Sequence, residues 1–153
     1  MGHNGAKVSA KLPLARRRKA RQLILQALYQ WTLTGADPLE ISKEFHDRNN
    51  SKIDWAFFDE VFQDIPKTSG TLDGYIHPLL DRQPEALDPI EKSLLYLGAY
   101  ELANRIDVPY RVVINECVEL AKVFGATESH KYINGVLDKL APALRTAEYG
   151  RRA

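Results

Sequence analysis

Apolar residues recur at helical spacing along most of the chain, and no segment alternates between apolar and polar residues as a strand would. The first apolar stripe has the i, i+3, i+4 and i+7 spacing of one helix face and consists of Ile24, Ala27, Leu28 and Trp31. It predicts a helix from about Leu14 to Leu33 that ends at Gly35. The pattern as a whole predicts an all-α protein of six or seven helices.

Capping residues and prolines divide the middle of the chain. Asp37, followed by Pro38, predicts the start of a second helix with Leu39, Ile41 and Phe45 as its apolar anchors. A third helix is expected after Asp54. Because proline lacks the amide proton and crowds the preceding turn, Pro66 predicts a kink or break in that helix. Residues 72–80 resume a helical period that ends at Pro84.

The second half of the chain has clearer helix boundaries. The segment 88–91, DPIE, combines an N-cap residue, a proline at the first helical position and an acid at the third. This arrangement predicts a capping box. Another helix is expected over residues 107–123. Thr127 is expected to cap a last helix over 128–140, which Pro142 ends.

The ends of the chain are predicted to lie outside the core. Residues 1–13 are small, polar and basic and predict a disordered arm, and residues 146–153 predict a frayed tail. The remaining segment, 14–145, is long enough to form a compact domain with its own core.

Charge is distributed unevenly along a nearly neutral chain. There are 21 basic and 20 acidic residues in total, but no acid precedes Asp37. The basic cluster at the start of the first helix consists of Arg16, Arg17, Arg18, Lys19 and Arg21. At 100° per residue these cations surround the helix, and Arg17 extends the apolar stripe itself. Cations at a helix N-terminus oppose the macrodipole, so the cluster predicts a binding site for a polyanion; the alternative is a solvated run of charges.

A second candidate site is the segment 125–132, GATESHKY. A helix N-terminus offers free amide groups to a phosphate, and Tyr132 is an aromatic ring on which an unpaired base can stack. The alternative is an ordinary capped turn with Tyr132 in the core. The residues of this segment alone leave both interpretations open.

The sequence does not predict an enzyme, a metal site or a bound cofactor. It contains no glycine-rich phosphate loop, no HExxH, no GxSxG and no Cys/His metal spacing. Cys117 is the only cysteine and lies on an apolar helix face, which predicts a buried thiol in a reducing compartment. Glu101 is predicted to be a buried acceptor that pairs with Arg105 or caps the helix starting near Tyr110. No segment predicts a membrane span or a secretory signal, so the cytoplasm is expected.

Four segments together resemble the NusB family of bacterial transcription antitermination factors. They are ARRRKARQLILQALYQW at 15–31, DPIEKSLLYLGAYELANR at 88–105, VPYRVVINECVELAKVFG at 108–125 and SHKYINGVLDKLAP at 129–142. The resemblance spans about Ala15 to Pro142, whereas residues 36–85 match mainly in their helical pattern. It implies an all-helical fold of two three-helix bundles packed together.

The resemblance also implies binding to the boxA element of ribosomal RNA leader transcripts. The partner it implies is the ribosomal protein NusE, with other Nus factors and RNA polymerase joining the assembly. By position, the basic cluster is expected to contact RNA, and Glu128, Lys131 and Tyr132 fall in the family's second RNA-contacting segment. The residues that match the partner-contacting region are Tyr29, Glu85 and Glu91. Glu91 thus has two interpretations, capping box and partner contact, which can coexist on an exposed first turn.

Two other hypotheses stay open at this point. NusB-like domains also occur in ribosomal RNA cytosine methyltransferases, in which a Rossmann-type catalytic domain follows. The third hypothesis is a protein scaffold that binds no RNA. Binding of boxA RNA, with and without the partner, distinguishes the scaffold from the antitermination factor.

Overall fold

All regular secondary structure is helical over the residues that the computed structural model describes, and short loops join the helices. These are residues 2–49 and 52–150, with side chains described for 13–49 and 52–148. The α-helices are α1 (Gly2–Thr34), α2 (Pro38–Arg48), α3 (Trp55–Lys67), α4 (Ser69–Ile76), α5 (Pro89–Asn104), α6 (Tyr110–Phe124), α7 (Ser129–Leu144) and α8 (Thr146–Gly150). Two 3-10 helices, His77–Leu79 and Pro84–Ala86, join α4 to α5. The all-α class is confirmed, with more helices in this part of the chain than the six or seven predicted.

The chain divides into two compact units, Met1–Gln63 and Asp64–Ala153. The first unit contains α1, α2 and most of α3. Its core is made of fully buried apolar side chains, among them Ile24, Leu25, Leu28, Ile41, Phe57, Phe58 and Phe62. Gly35 ends α1 with a φ of 67°, which confirms the predicted left-handed stop. The prediction for Leu39 was wrong: the side chain is 68% exposed, because it lies in the first turn of α2 away from the stripe of Ile41 and Phe45.

The first helix is longer than its apolar stripe predicts. The structure begins α1 at Gly2 and includes Pro13 within the helix, whereas the sequence predicts a disordered arm up to that proline. An interior proline removes one backbone hydrogen bond and crowds the preceding turn, so α1 continues through Pro13 against the local preference at that position. Met1 lies outside the described residues.

The second unit is built on three mutually packed helices, α5, α6 and α7. Nearly every residue of α5 from Ser93 to Leu102 is buried, so this helix forms the centre of the unit. Gly98 lies where α5 approaches α7 closely: a Cβ atom there would stand 2.7 Å from Leu137 Cδ1. The thiol of Cys117 is also buried in this core, as predicted.

Local signals predicted some helix boundaries correctly and others not. Asp88 and Glu91 form the predicted capping box, with the Glu91 amide donating to Asp88 Oδ1 at 2.8 Å and the Asp88 amide donating to Glu91 Oε1 at 3.4 Å. Pro66 lies in the last turn of α3, and the helix ends one residue later, as predicted. Thr127 does not cap α7. That helix starts at Ser129 after Glu128, without a side-chain cap.

The predicted end of the last long helix was wrong, and so was the predicted frayed tail over residues 146–150; residues 151–153 lie outside the described residues. Pro142 lies inside α7, which continues to Leu144, and Thr146–Gly150 forms α8. Two side chains explain the difference. Arg145 is 4% exposed, and its guanidinium donates to backbone carbonyls at the end of α5 and in the following loop. Glu148 pairs with Arg145 and accepts a hydrogen bond from the Tyr110 amide at 3.2 Å, so α8 caps the start of α6.

Candidate nucleic-acid interface

The basic cluster on α1 separates into an exposed and a packed set. Arg16, Arg18 and Lys19 are exposed, whereas Arg21 is 4% exposed and Arg17 is half-buried. This confirms that the cations surround the helix instead of sharing one solvated side. The exposed set is here called the outer cations, and Arg17 and Arg21 the inner cations.

The inner cations are held by α3. The guanidinium carbons of Arg17 and Arg21 lie 4.6 Å and 5.1 Å from the centroid of the Phe57 ring, within the range of cation–π attraction. Arg17 Nε also donates to Asp54 Oδ2 at 3.2 Å. Asp54 in turn accepts from the Phe57 amide at 3.1 Å and donates its own amide to the Arg16 carbonyl at 3.2 Å. The start of α3 therefore fixes the direction in which α1 presents its outer cations.

The second candidate segment lies at the start of α7. Glu128 and Lys131 are exposed and form an ion pair, with 3.1 Å between Oε2 and Nζ. Such an exposed pair contributes at most about 1 kcal/mol and exchanges readily for another anion. Tyr132 is half-buried, so the segment is neither a simple solvated turn nor a fully buried one.

One face of the Tyr132 ring is covered by Arg82. The guanidinium carbon of Arg82 lies 3.8 Å from the ring centroid, and Arg82 Nε donates to Asp81 Oδ1 at 2.9 Å. Burial raises the pKa of Tyr132, and the Arg82 hydrogen bond lowers the pKa of Asp81. The Tyr132 hydroxyl oxygen is buried and makes no hydrogen bond of normal geometry with the part of the chain that the structure describes.

Glu91 connects the capping box of α5 to this segment. Its Oε2 accepts a hydrogen bond from Ser129 Oγ at 3.1 Å, and its Oε1 lies 4.0 Å from Arg82 Nη1. Glu91 is 7% exposed, so the expectation of an exposed first turn was wrong. The reason is that the start of α7 covers the start of α5. Sequence reasoning missed Arg82 and Ser129; Ser129 stands within the matching segment SHKY, whereas nothing in the sequence singled out Arg82.

The other two predicted partner residues lie at the surface of different units. Tyr29, in the first unit, is 39% exposed and lines a groove of about 590 Å³ between α1 and α2, together with Leu33. Glu85, in the second unit, is exposed on the 3-10 helix Pro84–Ala86 and borders a cavity of about 180 Å³. Both side chains are accessible to a protein partner.

The described residues include neither a membrane-spanning helix nor a metal-binding cluster. None of their helices is long and apolar enough to cross a membrane. Within the same ranges, no group of three or more His, Cys, Asp or Glu side chains is arranged to hold a metal ion.

Comparison with known proteins identifies the family. The model of the NusB family matches residues 18–142, which is most of the chain. The chain belongs to the NusB family. The transcription antitermination protein NusB of Hahella chejuensis is 51% identical over 136 residues, covering 88% of this chain and 91% of the relative. NusB of Alcanivorax borkumensis is 53% identical over 137 residues, covering 89% and 91%.

Solved structures of NusB proteins have the same fold. T. maritima NusB matches with a TM-score of 0.76 and 24% identity over 88% of this chain and 96% of that one. A crystal structure of the antitermination factors NusB and NusE in complex with dsRNA matches with a TM-score of 0.75 and 25% identity, over 82% and 96%. NusB proteins are antitermination factors, which agrees with the prediction that the chain is not an enzyme.

Proposed function

We propose that this NusB family member binds the boxA element of ribosomal RNA leader transcripts together with NusE and so supports antitermination. The observation that carries the proposal is the set of outer cations at the start of α1, Arg16, Arg18 and Lys19, which the inner cations hold outward. The related complex that contains NusB, NusE and dsRNA supports it. Such a protein works in the cytoplasm, with other Nus factors and RNA polymerase completing the assembly.

In this proposal the two segments have different tasks. The outer cations neutralise phosphates of a single strand, and a bound strand supplies the negative charge that the start of α1 lacks. At the start of α7, an unpaired base stacks on the half-buried ring of Tyr132, beside the Arg82 guanidinium. Lys131 leaves its ion pair with Glu128 and pairs with an RNA phosphate. Breaking the ion pair costs little free energy because both side chains are exposed.

A gel shift tests the proposal directly. We expect the protein to bind boxA RNA more tightly than a scrambled RNA of the same length and composition, and NusE to increase the affinity further. Equal binding of the two RNAs would contradict sequence-specific recognition. If neither RNA binds, with or without NusE, the protein-scaffold hypothesis replaces the proposal.

Tyr29 and Glu85 are proposed to contact NusE. Replacing Tyr29 by Asp and Glu85 by Lys is expected to weaken the heterodimer about thirtyfold, because truncating central interface residues costs about 2 kcal/mol. Size-exclusion chromatography and titration calorimetry measure the loss, and circular dichroism checks that the protein stays helical. Glu91 is left intact, since it caps α5 and accepts from Ser129.

The matched control for this test is Glu40→Lys, a charge reversal at an exposed position of α2. It should leave the heterodimer unchanged. If the control and the Tyr29/Glu85 variant bind NusE equally well, these two residues are not at the interface.

A further inference from the structure

A groove on the second unit lies between α6 and α7 and has a volume of about 520 Å³. One stripe of α6 and one of α7 line it, and the residues are Tyr110, Arg111, Ile114, Asn115, Val118, Lys122, His130, Lys131, Asn134 and Asp138. Counted from Arg111, the α6 residues after Tyr110 are spaced i, i+3, i+4, i+7 and i+11, so one helix face runs the length of the groove. Neither the family resemblance nor the proposed function assigns a role to this face of α6.

Cations outnumber carboxylates among the side chains that line the groove. It contains Arg111, Lys122 and Lys131, against the single carboxylate of Asp138. The Arg111 side chain donates to the Tyr110 hydroxyl at 3.3 Å and has no carboxylate partner among the described residues. Lys122 is in an exposed pair with Glu119, with 3.3 Å between Nζ and Oε1. These cations are therefore available to an incoming anion at little cost.

The rest of the lining suits a nucleobase. The side-chain amides of Asn115 on α6 and Asn134 on α7 are exposed, and neither makes a hydrogen bond with the parts of the chain that are described. Amide groups offer a donor and an acceptor together, which matches the edges of unpaired bases. Ile114 and Val118 provide an apolar floor beneath them. Phosphate-binding and base-binding groups thus occur in one groove.

We propose that this groove binds unpaired nucleotides of the same RNA strand that contacts the start of α7. Lys131 belongs both to the second RNA segment and to the groove lining, so the two surfaces are continuous. In this arrangement Arg111 and Lys122 bind phosphates, while Asn115 and Asn134 contact base edges. The proposal rests on the proposed function, because it extends the path of the same strand.

Binding measurements on the full chain test the groove. The double variant Arg111→Gln with Lys122→Gln should bind boxA RNA about twentyfold more weakly than the unmodified protein at 0.1 M salt. The slope of log affinity against log salt should fall by about 1.4, since each single-strand phosphate contact contributes about 0.7. The variant Asn115→Ala with Asn134→Ala should keep the slope but reduce the preference for boxA over scrambled RNA about tenfold.

The matched control is Lys43→Gln with Lys139→Gln, two exposed lysines outside the groove lining that give the same change in charge. If the groove variants and this control bind RNA equally while the unmodified protein still prefers boxA, the groove proposal is wrong and the proposed function survives. Loss of NusE binding with unchanged RNA affinity overturns it as well, because the groove would then be a protein site. If the unmodified protein shows no preference for boxA, the proposed function itself fails.

Discussion

Replacement of Arg145 by alanine is expected to lower the free energy of unfolding by about 4 kcal/mol. The buried guanidinium donates to the carbonyls of Leu102, Val108, Glu101 and Arg105 at 2.7, 2.8, 3.1 and 2.9 Å, and it pairs with Glu148. Removing it takes this donor from four carbonyls, of which those of Glu101 and Arg105 still accept from backbone amides, and leaves one carboxylate without its cation. Because domains of this size are stable by only about 5–15 kcal/mol, the second unit should then be close to unfolding.

Urea denaturation followed by circular dichroism measures this loss. Arg145→Lys should lower the free energy of unfolding by about half as much as Arg145→Ala. An ammonium keeps the charge but cannot donate to several carbonyls in one plane. The control is Arg48→Ala, where the side chain is 67% exposed and pairs with Glu44 one turn away on the helix. That change should cost less than about 1 kcal/mol. Equal stability of the Arg145 and Arg48 variants would show that the buried hydrogen bonds contribute little.

The network around Arg145 also shows where sequence patterns fail. The sequence predicts Glu101 as a buried acceptor, and Glu101 is indeed fully buried. It did not predict that Glu148 accepts a hydrogen bond from the Tyr110 amide at the start of α6. That contact joins residues 38 positions apart. Periodicity and local capping rules describe neighbours along the chain, so they could not reveal that the tail supplies a cap and a buried cation.

Local sequence signals correctly predicted the features that depend only on neighbouring residues. The capping box of Asp88 and Glu91 and the left-handed Gly35 were predictable because each depends on residues within one turn. For the candidate interface, spacing correctly placed cations on all sides of α1. It could not show which of them pack on Phe57, because Phe57 belongs to another helix. The burial of Glu91 was not predictable either, because it results from long-range packing of the start of α7, and the sequence alone places Glu91 on an exposed turn.

Replacing the three outer cations by glutamine, Arg16→Gln, Arg18→Gln and Lys19→Gln, is expected to weaken boxA binding about a hundredfold at 0.1 M salt. Each single-strand phosphate contact contributes about 0.7 to the slope of log affinity against log salt, so three lost contacts lower the slope by about 2. Fluorescence anisotropy of labelled RNA over a range of salt concentrations measures both quantities. Thermal unfolding should change little, because these side chains are exposed.

The inner cations should respond in the opposite way. Arg21→Gln is expected to cost about 1–2 kcal/mol of stability, since it removes a buried guanidinium from the Phe57 ring, and to leave the salt slope unchanged. An exposed triple control, Lys43→Gln, Arg48→Gln and Lys139→Gln, removes the same charge as the outer-cation variant and should keep the unmodified slope. If the control lowers the slope as much as the outer-cation variant does, RNA affinity depends only on the net charge of the protein. The position of the outer cations at the start of α1 would then have no special role in binding.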